Sequence, residues 1–269
     1  MPPRTTWVVP LVLAVLAATG SVRADETRFF EKRYRGFAVW LDCRHGGAVL
    51  VHYELGPDTG QRARTPYALD PSVPPRCSPA STATYQSVIP DGADALGDWD
   101  IGHVLPANHA DGDAGMMADA NFVTNTLPQA ARFNRHGAWA HTEELSECYR
   151  EIETLRIWAG VVWGSDTSND HFRLSHGVTT PDYWWKLIHR PRAGTYVAWL
   201  MANSPDSTDD DMDRYLVAGA TLKSRLALAP DFGPLEDLPA FRERPAASWP
   251  YGRTTGGDLR CEGVTADPG

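Results

Sequence analysis

Four short apolar segments set the strongest limit on how this chain of 269 residues folds. Residues 37–41 and 48–55 are rich in β-branched and aromatic side chains and are separated by Gly46-Gly47, a pattern that predicts a β-hairpin. Residues 157–163 and 196–201 are similar apolar runs and are typical of buried strands. The fold is therefore expected to be built around a β-sheet.

Helical patterns are fewer than strand patterns. Apolar residues recur at roughly helical spacing between 139 and 155, with acidic residues between them, and residues 222–229 predict a second, shorter helix. Residues 56–98 are rich in Pro, Asp, Gly and Ser, which predicts mainly loop. Because no internal repeat and no clear linker divides the sequence, we predict one domain that mixes α and β structure.

The first 24 residues have the pattern of a secretory signal peptide: Arg4 precedes an apolar run at 7–18, and Ala24 ends a cleavage site of small residues. We predict a signal peptide at 1–24, a folded domain at 25–235 and an extended tail at 236–269. The protein is then expected to be secreted or periplasmic, and its mature form is expected not to associate with a membrane. A single anchoring helix stays open as an alternative, although the apolar run is shorter than the about 20 residues that span a bilayer.

Four cysteines follow the predicted cleavage site, at positions 43, 77, 148 and 261. An even number in an oxidising compartment predicts two disulfides, for which three pairings are possible. We favour Cys43–Cys77, because these two are near in sequence. The remaining pair, Cys148–Cys261, would fasten the tail.

The charge balance limits the partners of the chain. Lys and Arg number 25 against 34 Asp and Glu, which gives a net charge of −9. This balance argues against nucleic-acid binding by bulk electrostatics alone, so a polyanionic partner requires a local basic patch or a metal ion. The acidic run at 206–213 lacks the spacing of an EF-hand, and we interpret it as a solvated loop rather than a calcium site.

Residues 100–144 concentrate side chains that could carry chemistry. His103 follows Gly102, which lets a substrate approach closely, and several uncharged oxygen ligands and a carboxylate follow further along. Oxygen ligands with little net charge suit Mg²⁺, which keeps most of its waters and is completed by substrate phosphate. A neutral imidazole suits a general base near pH 7. This combination predicts phosphodiester hydrolysis.

Three motifs in this region are specific as a set. They are Asp100-Ile101-Gly102-His103 followed by Pro106-Ala107, Thr124-Asn125 leading to Pro128-Gln129, and Phe133-Asn134 leading through Trp139 to Glu143. The set resembles the DNA/RNA non-specific endonucleases of the ββα-metal (His-Me finger) type, which include endonuclease G, and the resemblance covers roughly residues 35–233. It implies an α+β fold, with a central, mostly antiparallel sheet, flanking helices and a ββα-metal active-site motif, and makes 25–235 the endonuclease domain.

The resemblance also implies a function and a role for each site residue. The function is Mg²⁺-dependent, sugar-non-specific hydrolysis of phosphodiester bonds in DNA and RNA, with Mn²⁺ as a substitute ion and 5′-phosphorylated products. His103 is then the general base that activates water, Asn134 the direct protein ligand of Mg²⁺, and Glu143 the holder of one of the waters on that ion. Asn125 supports the active-site geometry, and Arg64 binds phosphate.

The chain departs from the family pattern at Ile101, which occupies the position of an Arg that is expected to contact phosphate. We expect Arg132 or Arg135, from the neighbouring segment, to take over this part of substrate binding. The departure also leaves a different class of function open, namely an exported, non-catalytic nucleic-acid-binding descendant of the fold.

The spacing between Asn134 and Glu143 is also unusual, because it looks one residue longer than the family pattern. On one ideal helix this spacing places the two side chains on opposite faces, with a rise of about 13 Å between them. Either a bulge at Gly137 restores a common face, or Glu144 takes the role of Glu143.

A zinc-dependent hydrolase is the rival enzyme, because three further histidines lie in the same region, at positions 109, 136 and 141. No H-E-x-x-H or other compact zinc spacing supports it. The sequence leaves the oligomeric state and the preference between DNA and RNA open.

Overall fold

The computed structural model describes residues 28–88, 98–226, 239, 241–253 and 259–260. The predicted signal peptide at 1–24 and Cys261 lie outside the described residues. The predicted domain boundaries stay predictions.

Six antiparallel strands form the main sheet, in the order β1-β2-β3-β6-β7-β8. Tight turns join the first three strands, and Gly36 and Gly46 supply the positive φ angles of 81° and 71° that these turns require. The strands are β1 (Phe29–Tyr34), β2 (Phe37–Asp42), β3 (Gly47–Leu55), β6 (Leu155–Val162), β7 (Tyr183–Arg190) and β8 (Thr195–Ala202).

A smaller antiparallel sheet lies outside the main one and pairs β4 (Trp99–His103) with β5 (Thr126–Ala130), so that His103 lies opposite Thr126. Near the C-terminus, β9 (Gly252–Arg253) pairs with β10 (Leu259–Arg260). The helices of the described residues are α1 (Ala114–Ala120), α2 (Ala131–His136), α3 (Ala138–Arg150), α4 (Arg173–His176) and α5 (Gly219–Arg225).

Helix α3 packs on the main sheet through aromatic side chains. Trp139, at the start of α3, and Trp184, on β7, are both fully buried, and their rings meet edge to face with centroids 4.9 Å apart. Lys186 is also fully buried, with its Nζ atom 3.9 Å above the centroid of the Trp139 ring. Buried aromatic area of this kind is a major part of core stability.

The observed architecture confirms the predicted α+β class with a mostly antiparallel sheet. The segments predicted at 37–41, 48–55 and 196–201 lie within β2, β3 and β8, and the segment predicted at 157–163 overlaps β6. The helix predicted at 139–155 is shorter than expected, because α3 ends at Arg150 and residue 155 already begins β6. Helix α5 begins three residues before the predicted start at 222, and residues 227–229 of that prediction lie outside the described residues.

The cysteine pairing is confirmed for its first half, since a disulfide joins Cys43 to Cys77. It ties the end of β2 to the loop that precedes β4. Cys148, on α3, is also disulfide-bonded.

The described part of the predicted tail packs against the domain. The ring of Phe241 stacks on Tyr196 of β8 with centroids 4.0 Å apart. The Tyr149 hydroxyl on α3 donates a hydrogen bond to the carbonyl of Pro250 at 2.9 Å, and the Tyr251 hydroxyl donates to Glu144 Oε2 at 2.9 Å. Among the described residues, no helix has the length and apolar character to cross a membrane.

Candidate active site

A cleft of about 490 Å³ opens where β4, α2 and α3 meet. Strand β4 brings His103 to it, α2 brings Asn134, α3 brings Glu143, and the loop after β3 brings Arg64. The residues that line the cleft are Arg64, Tyr67, Thr84, Asp100, Ile101, His103, Pro106, Ala107, Asn134, Arg135 and Glu143. Side chains that are up to 79 positions apart in sequence therefore share one space.

His103 is held in one orientation by Asn121, which the sequence analysis did not identify. The Nε2 atom of His103 lies 3.0 Å from Asn121 Oδ1. The Asn121 amide nitrogen donates to the carbonyl of Met117 at 3.0 Å and to Thr65 Oγ1 at 3.2 Å, which fixes the oxygen toward the imidazole. Since that oxygen can only accept, Nε2 carries the proton and Nδ1 keeps its lone pair.

The surroundings keep His103 neutral. The pKa of His103 is lowered to about 4, mainly by burial and also by the charge of Arg64, although the hydrogen bond to Asn121 acts to raise it. The ring of Tyr67 packs against the imidazole with centroids 5.5 Å apart. The imidazole is therefore neutral near pH 7 and oriented, which is the protonation state that a general base requires.

Asn125 lies behind the cleft and is completely buried. Its Oδ1 accepts a hydrogen bond from the backbone N–H of Leu105 at 2.9 Å, and its Nδ2 donates to the carbonyls of Leu105 and Ala120, both at 2.9 Å. These bonds tie the segment after β4 to the turn before β5. The amide of Asn125 is therefore engaged by backbone groups on both of its atoms.

Asn134 presents its oxygen because Asp100 binds its nitrogen. Asn134 Nδ2 donates to Asp100 Oδ2 at 2.8 Å, and Arg135 Nε donates to the same oxygen at 2.9 Å. The Arg135 side chain also forms an ion pair with Asp100 Oδ1. The Oδ1 atom of Asn134 is thus available as an uncharged metal ligand.

Glu143 reaches the same cleft as Asn134 because the helix is interrupted between them. Helix α2 ends at His136, and Gly137 has extended backbone angles before α3 begins. A Cβ atom at Gly137 would lie 2.6 Å from the carbonyl oxygen of Ser207, so a side chain does not fit there. The predicted irregularity at Gly137 therefore exists, while Glu144 is hydrogen-bonded to Tyr251.

A buried cation faces Glu143. Burial raises the pKa of Glu143 to about 7, while the charges of Lys186 and Arg64 act to lower it. Burial lowers the pKa of Lys186 to about 8, and Glu143 opposes that shift. Lys186 stands on β7, 43 positions beyond Glu143, and does not itself line the cleft.

The three predicted substrate-binding arginines divide between two clefts. Arg64 and Arg135 line the cleft of His103, as does Ile101. Arg132 is exposed and lines a neighbouring cleft of about 300 Å³, to which Arg135 also contributes. Of the two candidates to replace the family Arg, the structure therefore brings Arg135 to the site.

Two side chains at the cleft offer oxygen donors that could hold a metal ion. Asn134 Oδ1 and the carboxylate of Glu143 are hard oxygen donors with a low total charge, and such a set would suit a largely hydrated Mg²⁺. The other histidines of the region, at 109, 136 and 141, do not line this cleft. His109 instead lies against Tyr53 and Glu147, and His141 packs on Tyr251. Within the described ranges, no group of three or more His, Cys, Asp or Glu has the arrangement of a metal site.

Comparison with known proteins shows the fold and the family of the chain. A chain from the crystal structure of the EndoG/EndoGI complex matches 74% of this chain and 84% of its own length, with a TM-score of 0.56 and 17% sequence identity, which shows a common fold. A search of curated proteins finds no match. The family model for DNA/RNA non-specific endonucleases matches residues 23–225. This chain therefore belongs to the DNA/RNA non-specific endonuclease family.

Proposed function

We propose that this protein is a Mg²⁺-dependent endonuclease that hydrolyses phosphodiester bonds in both DNA and RNA. One observation carries the proposal: the neutral imidazole of His103, the carboxamide of Asn134 and the carboxylate of Glu143 line a single cleft. Asn134 would hold the ion through Oδ1, and Glu143 would hold one of its waters. When bound, Mg²⁺ offsets the negative charge that grows on the phosphoryl group and the leaving oxygen.

The residues of the chain perform the proton transfer. Nδ1 of His103 accepts a proton from a water molecule while the water oxygen forms a bond to phosphorus and the P–O3′ bond breaks. The products are a 5′-phosphate and a 3′-oxygen that is protonated from solvent. Asn121 Oδ1 accepts the Nε2 hydrogen and so stabilises the positive charge on the imidazole. Base catalysis of this kind is worth about 10²–10⁴-fold in rate.

Substrate binding rests on local cations, since the net charge of the chain is −9. Arg64 and Arg135 line the cleft and would contact the scissile phosphate, with Arg135 in place of the Arg that Ile101 replaces. Contacts to phosphate and sugar carry no base sequence information, so low sequence specificity follows.

We also propose that the protein is exported, either to the periplasm or to the medium. The sequence of residues 1–24 supports export. The disulfide between Cys43 and Cys77 supports an oxidising compartment.

The test is cleavage of plasmid DNA and of a long RNA by the purified protein in Mg²⁺, in Mn²⁺ and in EDTA. His103→Ala should lower activity by at least about 10²-fold. Asn134→Ala should require a higher Mg²⁺ concentration. His171→Ala is the matched control, because His171 is exposed and lies outside the cleft.

Wild-type activity on both nucleic acids that disappears in EDTA and in folded His103→Ala supports the proposal. Equal activity of His103→Ala and wild type would remove His103 as the base. Nucleic-acid binding without cleavage in any metal would favour the non-catalytic descendant. Activity in zinc but not in Mg²⁺ would favour the zinc-dependent hydrolase.

A further inference from the structure

A second cleft adjoins the candidate active site at the outer end of β4. It encloses about 300 Å³ and shares Arg135 with the cleft of His103, so the two spaces are neighbours. Its polar lining consists of Asp98, Arg132, Arg135, His136 and Asn203. None of the proposed catalytic steps uses this space.

The two clefts follow one another along β4. His103 stands at the inner end of the strand and Trp99 at its outer end, where it lines the second cleft. A strand of this length spans about 14 Å at about 3.4 Å per residue. One strand of B-DNA advances about 3.4 Å per nucleotide along the axis. The combined groove is therefore longer than a single nucleotide.

Arg132 and Arg135 lie close together on α2. They are three residues apart on α2, so their Cβ atoms are about 5–6 Å apart on one side of the helix. Asp100 holds the guanidinium of Arg135 at the first cleft. Arg132 is exposed and has no ion pair or hydrogen bond among the described residues, which leaves its guanidinium available.

The remaining groups define the shape and charge of the second cleft. The side chain of Asn203 is held in place by three hydrogen bonds. Its Oδ1 accepts from the N–H of Ala130, and its Nδ2 donates to the carbonyls of Pro128 and Pro181. The carboxylate of Asp98 opposes an anion. Binding there consequently depends on a direct contact with the Arg132 guanidinium rather than on a general positive field.

We propose that the second cleft is a subsite for the nucleotide next to the scissile bond, with Arg132 contacting the phosphate of that nucleotide. This inference rests on the proposed function and deepens it, because it makes the substrate a polynucleotide strand rather than an isolated phosphodiester. It gives Arg132 and Arg135 different roles, although the sequence presents them as alternatives for one role.

The experiment compares Arg132→Ala with Arg33→Ala, which removes an exposed arginine from β1 whose side chain is 76% accessible. Each protein is assayed on a ten-residue oligothymidylate and on bis(p-nitrophenyl) phosphate, which has only one phosphorus. Arg132→Ala should lower kcat/KM for the oligonucleotide by roughly three- to tenfold more than for the small diester, mainly through KM. A loss of equal size on both substrates would overturn the subsite.

Binding is measured separately by fluorescence anisotropy of the labelled oligonucleotide in EDTA. Arg132→Ala should weaken binding and reduce the slope of log K against log salt by about 0.7, the value for one phosphate contact on a single strand. Affinity and slope equal to those of Arg33→Ala would overturn the inference, as would a wild type without measurable binding. Arg132-dependent binding by a protein that cleaves nothing would support the subsite and refute the proposed function.

Discussion

The main sheet and the β4–β5 unit differ in how many polar side chains they bury. The centre of the sheet is apolar, as at Leu187 and Ile157, and the strand ladder satisfies its backbone. Around β4 and β5 polar residues are buried beside the apolar ones, and Asn121, Asn125 and Thr126 are almost inaccessible to solvent. The sheet thus contributes stability through burial, while the β4–β5 unit fixes the positions of particular atoms through hydrogen bonds.

The two regions meet at Lys186. This residue belongs to the sheet through β7, yet its ammonium group lies over Trp139 of α3 and influences Glu143. Its neighbour Leu187 points to the other face of the sheet, because successive side chains alternate along a strand. Substitutions at these two adjacent positions therefore separate stability from activity.

The largest expected effect is on stability, from Leu187→Ala. Leu187 is fully buried, so the substitution leaves a cavity and should lower the free energy of unfolding by about 2–5 kcal/mol. The activity of the molecules that stay folded should be close to that of wild type. Urea denaturation and kcat at low temperature measure the two quantities. A large loss of kcat in folded Leu187→Ala would contradict the proposal that the sheet contributes stability while the β4–β5 unit positions the active-site atoms.

Asn121→Ala should lower activity more than it lowers stability. It removes the acceptor that holds the Nε2 hydrogen of His103, so both imidazole tautomers become accessible and the charged form loses a partner. We expect kcat/KM to fall by roughly 10–100-fold, equivalent to about 1.4–2.7 kcal/mol. Asn169→Ala, which removes an amide far from His103 in sequence and bonded to Asp182, is the control. Wild-type kinetics in Asn121→Ala would show that His103 needs no orienting partner.

The smallest expected effect is a shift in the pH profile, from Lys186→Met. Burial raises the pKa of Glu143 to about 7, and Lys186 limits that rise. Without the ammonium group the pKa of Glu143 should increase, so its ionised form, and with it activity in Mg²⁺, should be lost at a higher pH than in wild type. The measurement is kcat/KM from pH 5.5 to 9, with Lys223→Met as the control. If kcat/KM of Lys186→Met falls at the same acidic pH as in wild type, Lys186 contributes to the sheet but does not influence Glu143.

The sequence predicted the apolar strands better than the charged ones. Residues 37–41 and 48–55 show β-branched and aromatic runs that the sheet confirms, but β1 contains Glu31, Lys32 and Arg33 and was not predicted. Strand β7 was missed as well, because Lys186 follows two tryptophans and hides the alternation. Side chains whose placement depends on tertiary contacts weaken the local pattern.

In the site, motif residues were easier to find than their supports. The motifs pointed to His103, Asn134 and Glu143, and the structure brings all three to one cleft. Asn121 lies 18 positions from His103 and meets it only because α1 and the following turn return the chain. No local sequence spacing encodes such a contact, so the partner of the His103 imidazole could be identified only from the folded structure.

The packing of the tail has a practical consequence for where the protein can be shortened. The family match ends at residue 225, which invites trimming the gene at that codon. Such a product would lack Trp249, whose ring lies 5.0 Å from that of Tyr149, and Tyr251, which binds Glu144. Both contacts brace the helix that carries Glu143. The packed structure therefore extends beyond the end of the family match, and a product that ends at residue 225 should be less stable than the full chain.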